Sequence, residues 1–156
     1  MIFKTENEDL TVELSKGVLD HLAKNRQLRV KDKEAGGQLF ARLFRSNKHW
    51  LVEMATGPHR RDLRTRFGFR PNRKKEQQDI DAAFNDGLHF VGDWHTHPEP
   101  FPRPSNQDKH TMSDIFDKSD HQLRGFLMII LGNGDLEDLW ISIHGQSGNC
   151  EPLLLQ

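Results

Sequence analysis

Between Leu14 and Leu28 the apolar residues Val18, Leu19, Leu22 and Ala23 recur, with Leu28 further on. Spacing of three and four residues marks one face of an amphipathic helix. Gly36-Gly37 breaks that pattern, and Leu39, Ala41 and Leu43 then alternate with Phe40, Arg42 and Phe44 as a strand does. Ser46-Asn47 supplies a turn, and Trp50 to Met54 reads as the returning strand of a hairpin that Gly57-Pro58 ends. The arginine-dense stretch from His59 to Asn72 reads as a long connection with one short strand inside it. Helical spacing returns from Arg73 to Asn85 through Ile80, Ala83 and Phe84, with Gly87 as the stop. Leu88 to Thr96 is a mostly buried strand, and the four prolines from His97 to Pro104 make a loop. Ser105 to Lys118 is again amphipathic, with Met112, Ile115 and Phe116 facing inward. Phe126 to Leu131 and Leu136 to Ile143 form a last strand pair around a Gly-Asn-Gly-Asp turn.

The order of helix, hairpin, long insertion, helix, strand, helix and hairpin predicts an α+β fold, a central mixed sheet flanked by helices. No repeat or linker divides the chain, so residues 1–156 are expected to form one domain. The hydrophobic and charged fractions, 35% and 29%, suit a globular protein with a proper core. A net charge of −1 names no partner. The single cysteine, Cys150, excludes an internal disulfide framework and fits a reducing compartment. The segment MIFKTENEDL lacks the apolar run of a signal peptide, and Phe126 to Leu131 is too short to span a bilayer. A cytoplasmic protein without a membrane partner is expected.

Candidate chemistry gathers in Asp93-Trp94-His95-Thr96-His97-Pro98 and Ser105-Asn106-Gln107-Asp108. Residues two apart in a strand share a face, so His95 and His97 project together and can grip one cation. Zinc accepts such nitrogens at about 2.0–2.1 Å and tolerates a carboxylate as third ligand. Asp108 can supply it, because it lies one turn before Met112 on the inward face of its helix. Three protein ligands leave a position for water, the layout of a catalytic zinc site. Ser105-x-x-Asp108 is equally a helix-capping sequence, and Asp108 is not expected to cap and ligate at once. His21, His49, His59, His89, His110, His121 and His144 show no ligand spacing.

His-Thr-His, seven residues, then Ser-x-x-Asp resembles the signature of the JAMM (MPN+) metalloproteases, and the order of elements resembles their cytidine-deaminase-like domain. The resemblance implies an upstream catalytic glutamate before a glycine-containing strand. Glu34-Ala35-Gly36-Gly37 supplies it, whereas the competitors Glu53 and Glu99 precede no such pair. It also implies a zinc-dependent hydrolysis of an amide, often an isopeptide. Glu34 would move the proton, and Ser105 would donate a hydrogen bond to the developing oxyanion. Asp93 and Trp94 flank the ligands as supports, Trp94 more simply as core. Among JAMM proteins the chain is similar to small bacterial members, in particular the deconjugating proteases of CBASS anti-phage operons. That similarity implies a protein substrate with an extended C-terminal tail, a cGAS-like nucleotidyltransferase joined to its target. The tail would lie along Gly57 to Asn72, where Arg60, Arg61, Arg64, Arg66 and Arg70 could catch acidic groups. Nucleic acid has only charge to recommend it. The other readings are a processing or sulfur-carrier peptidase of the same fold and a non-catalytic MPN-type binding module.

Overall fold

The computed structural model describes all 156 residues. Two short strands come first, β1 (Ile2–Lys4) and β2 (Thr11–Leu14); three or four residues are too few to announce themselves by periodicity. Helix α1 (Lys16–Lys24) is capped by Ser15, whose hydroxyl accepts from the Val18 amide, and it buries Val18 and Leu22. It stops before Leu28, which is exposed rather than part of the predicted apolar face. Strands β3 (Gly36–Phe44) and β4 (His49–Ala55) form the expected hairpin, but Gly36-Gly37 begins β3 instead of preceding it.

The insertion holds two strands where one is expected, β5 (Leu63–Thr65) and β6 (Gly68–Arg70), paired only with each other. Helix α2 (Arg73–Asn85) follows, capped by Asn72. Its buried face is Glu76, Asp79 and Ala83, while Phe84 points to solvent. Periodicity misses this because the face is built from ion pairs: Arg73 holds Glu76 at 2.8 Å and Lys75 holds Asp79 at 2.5 Å, with the His59 ring beside the other Asp79 oxygen. Then come β7 (His89–Thr96), α3 (Asn106–Lys118) and β8 (Phe126–Leu131). The predicted strand from Leu136 starts as a 3-10 turn over Leu136–Asp138, and β9 is Trp140–His144. Two further short strands close the chain, β10 (Cys150–Pro152) and β11 (Leu154–Leu155).

Nine strands make one mixed sheet in the order β10-β9-β8-β7-β3-β4-β2-β1-β11, with β2–β4 and β7–β8 parallel. Strands β10 and β11 lie at opposite edges, yet only Leu153 separates them, so the last residues bridge the two edges and the sheet rolls round. The larger core cluster, with Trp50, Leu39, Trp94, Leu127 and Ile129, lies on the side that α1 covers. Each such fully buried side chain contributes about 1.5–3 kcal/mol, which makes this side a stiff platform. Helices α2 and α3 cover the other face over smaller clusters around Phe40 and Met128. No helix is long and apolar enough to cross a membrane.

A Cβ built on Gly37 would lie 1.9 Å from the Thr56 carbonyl oxygen, because the insertion leaves β4 directly over the start of β3. Gly37→Ala must therefore push the backbone of one of them aside. The expected result is a loss of about 1–3 kcal/mol in chemical denaturation, as overpacking typically costs. An unchanged midpoint would mean the two segments are not in contact.

Candidate metal centre

Pairing of β3 with β7 assembles the first half of the site. Gly36 lies opposite His95, and the Thr96 amide donates to the Ala35 carbonyl, so continuing the antiparallel count sets Glu34 opposite His97. Behind them, Thr96 is fully buried; its hydroxyl accepts from the Ala35 amide at 2.9 Å and donates to Gln27 at 2.8 Å. Gln27, itself buried, donates to the carbonyls of Asp32 and Arg66. This glutamine ties the ligand strand, the loop carrying Glu34 and the insertion together, and no sequence motif announces it.

His95 and His97 turn the same way, with Nε2 atoms 3.1 Å apart. Asp108 reaches them from α3, its Oδ1 3.4 Å from His95 Nε2 and its Oδ2 3.7 Å from His97 Nε2. Ligands at about 2.0–2.1 Å in a tetrahedron lie about 3.3 Å from one another. Here one atom from each side chain lies within 4.8 Å of the others, close enough for a small rotation of Asp108 to seat a zinc-sized cation. They are the one group of histidine, cysteine or carboxylate side chains close enough to share an ion. His97 Nδ1–H donates to Glu99 Oε1 at 3.1 Å, which leaves Nε2 with its lone pair turned to the cation position. Glu99 is thus a support for His97, and Glu53 pairs with Arg42 on the hairpin.

Asp108 caps its helix and faces the histidines at once, contrary to expectation. Its Oδ2 accepts from the Ser105 amide and hydroxyl, both at 2.7 Å, while Oδ1 is left for His95. Two oxygens on one carboxylate make the roles compatible. Burial pushes the Asp108 carboxyl up, but bonds and charge from His95 and the Ser105 bonds outweigh it and hold it well below the usual range. The Ser105 hydroxyl also accepts from the Asp108 amide at 3.1 Å, completing the capping box.

Glu34 lines the same cleft of about 980 Å³. Its backbone is fixed by the insertion: its amide donates to the Thr65 carbonyl at 2.7 Å, and its carbonyl accepts from Arg64 Nε at 2.7 Å. Burial raises its carboxyl to about 7, with His95 opposing and Asp108 adding to the rise. Asp93, on the same face of β7, is likewise pushed up to about 7 by burial and by Glu76, against Arg73. Trp94 points the other way into the core and donates to the Thr56 carbonyl at 2.9 Å. The arginines of the insertion divide. Arg64 and Arg66 are bonded to carbonyls of the 29–34 loop, while Arg70 lines the cleft near Phe69.

Residues 15–142 match the family model described as prokaryotic homologs of the JAB domain. A CD-NTase/cGAS isopeptidase of Enterobacter hormaechei is 28% identical over 130 residues, 83% of this chain and 72% of that protein. A CD-NTase/cGAS isopeptidase of Vibrio cholerae is 30% identical over 146 residues, 90% of this chain and 86% of that one. The solution structure of a protein from Desulfitobacterium hafniense shares the fold, with a TM-score of 0.64 at 19% identity over 90% of this chain and 88% of that chain. With most of its length matched and the elements in place, the chain belongs to the prokaryotic JAB-domain family.

Proposed function

We propose that this protein is a zinc-dependent peptidase or isopeptidase. It would cleave the bond joining the C-terminal tail of a cGAS-like nucleotidyltransferase, or a ubiquitin-like protein, to its target, and so reverse conjugation in bacterial anti-phage signalling. One observation carries the reading: the His95, His97 and Asp108 ligand atoms converge within 4.8 Å, with Glu34 in the same cleft. The names of the relatives support the substrate class.

His95 Nε2, His97 Nε2 and Asp108 would hold the ion. Bound there, zinc would supply Lewis acidity and bring the pKa of water towards about 7. Glu34, raised to about 7, suits proton transfer near neutral pH; it takes the proton of the attacking water and returns it to the leaving amine. Ser105 donates to the developing oxyanion, for which its hydroxyl turns from Asp108 towards the cleft; such donors stabilise by about 2.7–4 kcal/mol. The tail lies against the insertion hairpin, where β5 and β6 pair only with each other and leave an edge for backbone pairing.

Incubation with a nucleotidyltransferase conjugate, before and after metal removal by a chelator, tests this directly. Cleavage is expected to fall to background on chelation and to return with added zinc. Chelator-resistant cleavage would exclude the metal mechanism. Binding of the conjugate with no cleavage under any metal would leave a non-catalytic binding module.

A further inference from the structure

The layer between the sheet and helices α2 and α3 is apolar over most of its area, with Met112 of α3 over Phe126, Met128 and Ile130 on one side and Ala83 of α2 with Phe40 and Leu88 on the other. Between the helices it turns polar at Gln38 and Asp93, which stand directly opposite each other in the β3–β7 pair. Opposed antiparallel residues have Cβ atoms about 4.5–5.5 Å apart. Gln38 is 3% exposed and its Oε1 is buried without a hydrogen-bond partner; Asp93 Oδ1 is buried and unpartnered too. An unpaired buried polar group costs about 1–3 kcal/mol, and more when charged. An apolar pair would pack here at no such cost, so stability does not account for the two oxygens.

Both face a cleft of about 590 Å³ between α2 and α3. Glu76, 6% exposed, and Thr111 line it, and Arg73 stands at its mouth, bonded to Glu76 with most of its side chain in solvent. The cleft runs into that of the metal centre: Asp93, Glu76 and Thr111 line both. In its ionised form Asp93 presents only acceptors, as does Gln38 Oε1, so the group that complements that form brings N–H bonds and positive charge.

We propose that this cleft is a subsite for the ammonium or guanidinium group of a lysine or arginine side chain of the protein substrate, close to the scissile bond, held by Asp93 Oδ1 and Gln38 Oε1. The source of that side chain rests on the peptidase reading; the binding itself does not. Asp93 and Gln38 then select the sequence around the bond and take no part in breaking it.

The test is an NMR titration of the full-length ¹⁵N-labelled chain with N-acetyl-lysine methylamide, against the norleucine analogue of equal length and no charge. The lysine probe is expected to shift the Gln38 side-chain amide and the Asp93 amide saturably, and norleucine to leave them in place. Asp93→Asn and Gln38→Met should each weaken the lysine probe by about tenfold or more, as loss of a charge-assisted bond does. Equal shifts with both probes, or lysine binding undiminished in whichever variants keep a folded spectrum, would overturn the assignment. Because binding is read without turnover, a protein that binds the lysine probe but cleaves no conjugate would fail the peptidase reading and not this one.

Discussion

Glu34→Gln is expected to lower turnover of a conjugate by about 10²–10⁴-fold, the usual contribution of a positioned general base, while metal content stays unchanged. The amide keeps the shape of the carboxylate but accepts no proton, and Glu34 is not among the three converging ligands. The same substitution has a second consequence. Burial raises the Glu34 carboxyl from 4.5 to about 7 in the folded chain. The folded state therefore binds more protons than the unfolded state between these values, and stability falls as pH rises through that window. In metal-free protein Glu34→Gln should remove this penalty and stabilise at pH 8 by on the order of 1–2 kcal/mol, after discounting for screening at the exposed part of the group. At pH 4 it should change little. Kinetics, metal analysis and melts at the two pH values check this together. A variant that keeps full activity would remove Glu34 from the chemistry.

His97→Ala is expected to abolish both metal binding and activity, with metal content falling below about a tenth of an ion per chain. His97 turns Nε2 into the triangle, and the Glu99 carboxylate 3.1 Å from Nδ1 favours the tautomer whose Nε2 is free to ligate. The remaining histidine and carboxylate make a bidentate site too weak to survive purification. Glu99→Gln provides the graded companion: the ligand stays but its orientation loosens, which typically lowers metal affinity by about 10–100-fold. Competition with a chromogenic chelator separates the two. If His97→Ala still carried a full equivalent of metal, the ion would have to sit elsewhere.

The convergence of His95, His97 and Asp108 was legible in the sequence because it depends on local geometry. A two-residue spacing in a strand puts His95 and His97 on one face, and a three-residue spacing from Ser105 to Asp108 begins a helix. The hairpin, α2, β7, α3 and β8 were legible by the same periodicities. Local geometry failed where an element was short or its buried face was polar. Strands β1, β2, β10 and β11 exist because the rolled sheet gives them partners, and Glu76 and Asp79 are buried because Arg73 and Lys75 compensate them. Spacing could not show how Asp108 caps its helix and faces the histidines together, since that depends on which way each carboxylate oxygen points.

By itself, then, the sequence determined the fold class, the three converging side chains and, through a family pattern, the choice of Glu34. Tertiary structure decided how these come to line one cleft. Glu34 reaches the cleft because Gly36 registers with His95 across the sheet and the insertion holds its backbone through Arg64, and burial there raises its carboxyl. The opposed pair of Gln38 and Asp93 comes from the same register. Register and burial are long-range properties, fixed by pairing between segments far apart in the chain, and no local spacing encodes them.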